Sequence, residues 1–334
     1  MKKRLPRGVE VNFMPVINSD PLRVACVVPT YNGKRDLERL LDSLKIQTAT
    51  FDLLLVDSSS SDGTQELAKS RYDSGEIKQF VLIPGSEFNH GGTRQKMVDD
   101  FPEYDVYVFL TQDAVLEDKE ALVNILQPFI DSQVGAVCGR QLPHHDANLL
   151  AQHARFFNYP ASTQVKSKAD APALGIKTPF MSNSFSAYRG DALRATGGFP
   201  NHVILSEDMF VAAKMLLADY MVVYAGQAVC RHSHNYTLME EFRRYFDIGV
   251  FHAREPWIRE EFGGAGGEGV KYVKSELKFL GVKHLYLWPT AIIRNAVKLF
   301  GYKLGQKEAN LPLSLKKKIG MYKGYWSGLF AEKN

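Results

Sequence analysis

Three short polar clusters, Thr111-Gln112-Asp113, Ser206-Glu207-Asp208 and His232-Ser233-His234, each border an apolar run of the chain. Such borders are where strand and helix ends expose their side chains. Asp208, with Glu207 as the second acid of the pair, could take a proton from an acceptor hydroxyl. Asp113 and an imidazole could hold a divalent cation, Mg2+ or Mn2+, against a diphosphate leaving group. His232 is the first choice for that imidazole because it is nearer the strand end, and His234 is the second; imidazole suits Mn2+ better than Mg2+. Each cluster also has a plainer reading. An acid pair opening a helix is favoured by the helix dipole alone, Asp113 could cap the helix Lys119 to Leu126, and a lone His is more often a satisfied core residue. The order of the three along the chain fits one site better than three accidents.

The elements that must position these groups follow from periodicity. Arg23 to Pro29 reads as a strand ending in Thr30-Tyr31-Asn32-Gly33, followed by a helix with Leu37, Leu40, Leu41 and Leu44 on one face. Phe51 to Val56 is a second strand, ending at Asp57 and entering a helix where Asp62 and Gln65 have capping-box spacing. Gln79 to Ile83 and Asp105 to Leu110 are the third and fourth strands. Strands alternating with helices predict a mostly parallel sheet covered on both faces, with ligands beyond the carboxyl ends of the strands. Tyr31 and Asp57 could recognise a pyrimidine there, the ring by stacking and its N–H by the carboxylate; equally, Asp57 could cap the loop Ser58 to Ser61. Arg94, after Gly91-Gly92, could meet a diphosphate with its planar fork of donors, or be a solvated residue at a helix start. Further on, Phe185 to Tyr188 is a strand, and Tyr220 to Val229 is the strand that delivers His232 and His234. Ser162 to Pro179 reads as an acceptor-side loop, and Gly263 to Gly269 as a hinge.

Composition bounds the possibilities. With 334 residues, 45% hydrophobic and 23% charged, the chain has an ordinary globular make-up. Its net charge of +4 is uneven: the segment from Lys271 onward carries +10 and the first 270 residues −6. A basic tail on a mildly acidic body points to an anionic membrane surface or an acidic partner rather than nucleic acid. In the tail, Trp288, Phe300, Tyr302, Tyr322, Tyr325 and Trp326 mix with Arg294, Lys298, Lys303 and Lys316-Lys317-Lys318, which suits an interfacial helix; a packing or homo-oligomer surface is the other reading. Leu285 to Ile293 is too short to span a bilayer. Met1-Lys2-Lys3-Arg4 is followed by Pro6, Arg7, Glu10 and Asn12 where a signal peptide would be apolar. Cys26, Cys138 and Cys230 sit apart in apolar runs, as reduced core thiols do. The expectation is a cytoplasmic protein, peripheral at the inner face of the membrane.

The chain is similar to the family 2 glycosyltransferases, and within them to bacterial rhamnosyltransferases of O-antigen and capsule assembly. The likeness rests on Val27 to Gly33, Val56 to Thr64, Phe88-Asn89-His90-Gly91-Gly92-Thr93-Arg94, Thr111-Gln112-Asp113-Ala114, Gly197 to Pro200, Ser206-Glu207-Asp208 and His232 to Tyr236. It implies the GT-A nucleotide-sugar fold and an inverting, metal-dependent transfer from dTDP-L-rhamnose to a hydroxyl of a lipid-linked saccharide. By the resemblance Thr30, Tyr31 and Asp57 hold the base, Arg94 the diphosphate, Gln112 and Asp113 the nucleotide sugar and metal, His232 the metal as well, and Asp208 is the base. Thr111 replaces the first acid of the family's Asp-x-Asp element. The implied organisation is an N-terminal extension over 1–22, a catalytic domain over 23–236 with donor (23–140) and acceptor (141–236) halves, and a helical region over 237–334. Competing readings are transfer from another UDP or dTDP sugar, a nucleotidyltransferase, for which Asn32-Gly33-Lys34-Arg35 is too thin a phosphate loop, and a non-catalytic nucleotide-binding scaffold.

Overall fold

A computed structural model of the chain describes residues 22–264 and 267–328. Residues 1–21 of the expected N-terminal extension, and Ala265 and Gly266 of the glycine-rich segment, lie outside the described residues. The chain runs β1 (Val24–Thr30), α1 (Lys34–Lys45), β2 (Asp52–Asp57), α2 (Thr64–Asp73), β3 (Gln79–Leu82), α3 (His90–Asp100), β4 (Val106–Leu110), β5 (Val115–Leu116), α4 (Ala121–Leu126) and β6 (Val134–Leu142). It continues through α5 (Leu149–Asn158), β7 (Gln164–Lys166), α6 (Ala171–Leu174), β8 (Phe185–Arg189), α7 (Gly190–Ala195), α8 (Glu207–Leu217) and β9 (Met221–Arg231). Helices α9 (Leu238–Arg254), α10 (Pro256–Phe262), α11 (Glu268–Leu280), α12 (Trp288–Gly305) and α13 (Leu313–Ile319) complete it.

The strands form one sheet in the order β3-β2-β1-β4-β8-β6-β9-β5, with β7 paired to β9. The expected parallel pairing holds for β3, β2, β1 and β4. These strands are covered on both faces, so β1 and β4 are apolar throughout rather than alternating. Leu37, Leu40, Leu41 and Leu44 of α1 are all buried against the sheet. Beyond β4 the sheet is mixed: β8 runs antiparallel to both β4 and β6, while β6 and β9 are parallel. Because β1 lies between β2 and β4, the chain leaves its carboxyl end in one direction and returns to it from the other. That switch point is where an open α/β sheet leaves a crevice.

Two expectations are corrected. The segment Ser162 to Pro179 is not an open loop, since it contains β7 and α6. The buried Lys166 amine anchors it by donating to the carbonyls of Lys177 and Phe180 (3.3 and 3.0 Å). Nor does the region after Gly263 hang from a hinge. Ile176 N–H donates to Gly264 C=O (3.4 Å), Lys177 pairs with Glu268, and α12 lies along α9 so closely that a Cβ on Gly305 would stand 2.0 Å from the Phe246 carbonyl.

Part of the tail's aromatic and basic content is core rather than interface. Tyr325 and Trp326 are buried, and Lys316 is buried beside Trp326 in an ion pair with Glu308 (2.5 Å), which also takes Arg254 (2.8 Å). Asp247 of α9 accepts the backbone N–H groups of Met321 and Tyr322 (3.0 and 2.9 Å). The Tyr322 hydroxyl donates to the Phe88 carbonyl, and its ring meets His90 edge-on at 5.0 Å. Composition could not separate these residues from those left outside, because both kinds alternate aromatic with basic. Trp326→Ala is therefore expected to cost about 3–5 kcal/mol, the usual range for emptying a buried Trp site, read as a lower urea midpoint at unchanged slope. A midpoint equal to that of the parent would return Trp326 to the surface.

Candidate functional site

The ends of β1, β2 and β4 are knitted together by side chains. Asp57 is fully buried, and both of its oxygens are filled: Oδ1 accepts from Ser60 N–H and Gln65 Nε2 (2.8 Å each), Oδ2 from Thr30 Oγ1 (2.8 Å) and Ser60 Oγ (2.6 Å). The carboxylate organises its loop here, and contact with a base would require one of these donors to leave. Gln65 is taken by Asp57, so the anticipated capping box does not form; α2 starts from Gly63, and Asp62 accepts from Thr64 N–H and Oγ1 (3.1 and 2.5 Å). Gln112 clamps the β1 end by accepting from Tyr31 N–H and donating to Tyr31 C=O, both at 2.9 Å. Its amide is thereby spent on the backbone. The Tyr31 ring is left 58% exposed, free to stack.

Asp113 follows β4, and the chain leaving β9 brings both histidines to it. His232 Nε2 and His234 Nε2 lie 3.4 and 3.7 Å from Asp113 Oδ2, and the three groups offer ligand atoms within 4.8 Å of one another. Two ligands of one cation, each about 2.1 Å from it, stand roughly 3–4 Å apart; each histidine stands at that distance from Asp113, and the set can close on a single ion. One oxygen and two imidazole nitrogens suit Mn2+ better than an all-oxygen ion such as Mg2+. The histidines did not have to be alternatives; the structure brings both together.

The hydrogen bonds behind them fix their chemistry. Gln141 Nε2 donates to Ser182 Oγ (2.8 Å), and Arg155 donates to Gln141 Oε1 (2.7 Å). Gln141 Oε1 thus faces His232 Nδ1 as an acceptor at 2.9 Å, which places the imidazole proton on Nδ1 and leaves the Nε2 lone pair toward Asp113. His144 Nε2 donates to the Asp113 carbonyl (3.1 Å), and its backbone N–H to Ser233 Oγ (3.0 Å), tying the two loops together. Burial works against the Asp113 charge; with the imidazoles protonated, a hydrogen bond and charge from His232 and the charge of His234 outweigh it and hold the carboxyl below its ordinary range, a part that a bound cation would take over from them.

The acid pair divides its labour. Glu207 and Arg94 form an ion pair at 3.2 Å with side chains only 7% and 5% exposed. Burial raises the Glu207 pKa, yet Arg94, His90 and an Asn183 Nδ2 bond at 2.8 Å bring it below normal. Arg94 gives Nη1 both to Glu207 and to the His90 carbonyl (2.8 Å), while its Nε has no hydrogen-bond partner among the described residues. Asp208 is only half-buried. It accepts from Asn183 N–H (3.1 Å) and Met209 N–H (2.7 Å), but burial, then the negative charge of Glu207, push it up to about 7. The turn into α8 is made by Ser206 at φ +62°, a left-handed conformation that costs a non-glycine residue energy and aims the pair inward.

Gly91 explains the sequence around Arg94. A Cβ there would stand 1.8 Å from the Pro200 carbonyl and 3.3 Å from Glu207 Cβ, so only glycine lets α3 dock against the Phe199–Asn201 turn. Gln95 Oε1 accepts from Phe199 N–H (2.7 Å) and Asn89 Nδ2 donates to the Asn201 carbonyl (2.9 Å) to complete the contact.

The two chemical centres meet through one dipeptide. Asn183 bonds both acids, while Ser184, the next residue, puts its Oγ 3.5 Å from His232 Nε2 and its carbonyl 3.4 Å from Thr111 N–H. Asn183 Oδ1 is held in turn by Ser186 Oγ (2.8 Å) and Tyr188 OH (2.7 Å). Sequence reasoning passed over Asn183, Ser184, Gln141 and Arg155. Neither period nor motif marks them, and the one available hint was the polar run Ser182-Asn183-Ser184 just before an apolar strand.

Comparison with known proteins bears on the family and the fold. The family model for glycosyl transferase family 2 matches residues 25–197. The chain is 52% identical over 306 residues to the O-antigen chain rhamnosyltransferase WbaN of Salmonella anatum, covering 91% of this chain and 95% of that protein. It is 51% identical over 310 residues to the O-antigen chain rhamnosyltransferase RfbN of Salmonella typhimurium, covering 92% and 97%. In fold it is similar to a mannosyltransferase of Pyrobaculum calidifontis solved with GDP-Man and Mn2+, with a TM-score of 0.55 at 20% identity over 92% of this chain and 86% of that one.

Removing one partner of a buried ion pair leaves the other charge stranded, at a cost of about 3–5 kcal/mol. Glu207→Ala is expected to lower unfolding stability by that amount. A loss below about 1 kcal/mol, the range of solvated surface pairs, would mean that Arg94 and Glu207 are not held together in the interior.

Proposed function

The chain belongs to glycosyltransferase family 2, has the GT-A fold, and from that premise we propose that it is an inverting rhamnosyltransferase of O-antigen synthesis that uses dTDP-L-rhamnose and a lipid-linked saccharide acceptor. The rhamnosyl choice is supported by two relatives that bear that activity in their names and align over nine-tenths of the chain. The observation that carries the mechanism is the Asn183-Ser184 link, which sets a proton acceptor beside a cation-binding cluster.

Asp208 is the general base. Its two backbone N–H bonds fix the carboxylate's direction, and its raised pKa matches it to taking a proton from a hydroxyl near neutral pH. The acceptor oxygen attacks the anomeric carbon as its proton passes to Asp208, and the bond from that carbon to the diphosphate oxygen breaks on the opposite side, so one displacement inverts the centre. Glu207 is a positioning residue: its charge raises the proton affinity of Asp208, and its bonds to Arg94 and Asn183 hold α8 in place. Asp113, His232 and His234 would hold the divalent cation, and Gln141 keeps the His232 lone pair directed at it. Bound there, the ion would supply positive charge to the departing diphosphate. Tyr31 offers the base an exposed ring, and Asp57 shapes the loop beneath it.

Attachment to a membrane would be peripheral, since no helix among the described residues is long and apolar enough to cross one. The outward face of α12 carries Ile292, Ile293, Leu299 and Phe300, each more than half exposed, and Val282, Leu285 and Tyr286 extend it. Lys278, Lys283, Lys303 and Lys307 rim this surface, and residues 277–307 contain no carboxylate. Apolar groups rimmed by cations fit an anionic bilayer surface.

Asp208→Asn is expected to lower kcat by roughly 10²–10⁴ with donor affinity retained, and Asp113→Ala to abolish turnover that EDTA also stops. In the parent, kcat/KM should climb as Asp208 loses its proton and level off above about 7. Full activity of Asp208→Asn, or turnover in chelator, would remove the corresponding assignment. Separately, Ile293→Glu and Phe300→Glu should release the protein from anionic vesicles while leaving it folded; unchanged co-sedimentation would remove α12 from the membrane surface.

A further inference from the structure

Beside the metal cluster, on the side away from β1 and β2, the helices α5, α9, α11 and α12 enclose a cavity of about 310 Å³, near the lower end of the range for ligand pockets, about 300–1,000 Å³. His234 forms part of its wall, so it opens directly onto the site. Its charged lining is Arg155, Arg244, Arg294 and Lys298 against Glu241 alone. Glu241 is shared by Arg294 (3.0 Å) and Lys298 (3.3 Å), and Arg155 donates to the neutral Gln141. Arg244 is exposed and makes no ion pair among the described residues. Among the lining residues positive charges outnumber negative ones by three, with the buried Glu276 behind Lys298, in a partly enclosed space where low-dielectric walls strengthen their joint field. The Lys298 amine is held over the ring of Tyr272 at 5.2 Å rather than trailing into solvent.

No residue of β1, β2 or the loops that follow them lines this space. The cavity adjoins α12, whose opposite face is the exposed apolar surface. We propose that it is an anion subsite for the phosphate or diphosphate group that joins the acceptor saccharide to its lipid, seated between Arg244 and Lys298. The identity of the ligand rests on the glycosyl-transfer reading; the affinity for a phosphate anion does not. The subsite orients the acceptor sugar toward Asp208 while the lipid runs along α12.

Two measurements on the full chain test it. In the first, the parent, Arg244→Gln and Lys298→Gln are titrated calorimetrically with inorganic pyrophosphate in EDTA. The parent should bind, and each variant should bind roughly tenfold or more weakly, as for one lost charge-assisted hydrogen bond. Equal affinities in all three would overturn the subsite. Arg244 is exposed, so its variant answers the question even if Lys298→Gln folds poorly. The second compares, as acceptors, one sugar joined through a diphosphate to a short alkyl chain and the same sugar as a plain alkyl glycoside. The parent should show a lower KM for the diphosphate acceptor, and both variants should lose that advantage with the donor KM held. A KM raised equally for both acceptors, or a raised donor KM, would overturn the assignment to the acceptor. Pyrophosphate binding without transfer to either acceptor would support the anion subsite and count against the transfer reading instead.

Discussion

A carboxylate as enclosed as Glu207 stays ionised only if a cation meets it inside the protein, and the rest of the site is arranged around that need. Arg94 supplies the cation from α3, which obliges α3 to pack within reach of α8 and leaves room at the contact for nothing larger than Gly91. The pair is not a source of net stability by itself, because desolvating two charges costs about what their attraction returns. Its value lies in what it does to the neighbour. Burial first, and then a fixed negative charge one residue away, make ionisation of Asp208 harder, so an acid of ordinary chemistry becomes a proton acceptor suited to neutral water.

Much of this was legible in the sequence, and the parts that were not share a physical cause. The first four strands and the polar groups at their ends could be read because parallel strands buried on both faces leave long apolar runs, and the residues just after such a run lie at the sheet's carboxyl edge. Asp113, His232 and His234 came together as their positions implied. Asp57, Gln112 and Arg94 lie in the expected neighbourhood, where protein partners occupy them; for Asp57 these are the loop contacts that the sequence offered as its plainer reading. Asp57 and Gln112 spend their side-chain hydrogen bonds on the protein, and Arg94 spends Nη1 there. Residue type reveals what a side chain can bind, while the choice of partner depends on distances set by distant segments. Asn183 was missed for the same reason: its four contacts belong to Glu207, Asp208, Ser186 and Tyr188, and only folding makes them neighbours.

The C-terminal helices show how composition alone misleads. Helix α12 is inverted relative to an ordinary surface helix: its glycines face the protein and its large apolar residues face out. Gly301 and Gly305 permit backbone contact with α9, so the packing face needs no bulky side chains. The bulk that would normally fill a core is left on the opposite side. Meanwhile Tyr325, Trp326 and Lys316, which resemble interface residues by type alone, close the base of the helical layer.

The bond from Tyr322 to the Phe88 carbonyl joins positions 234 apart. Ribosomes add about 5–20 residues per second, so the loop before α3 waits roughly 10–50 s during synthesis for the aromatic ring that will cover it. The first strands and their helices can pair early, but the loop carrying Phe88 and His90 stays uncovered until Tyr322 has emerged. A nascent chain that stops short of Tyr322 would have the sheet and still leave Phe88 and His90 without the ring that covers them.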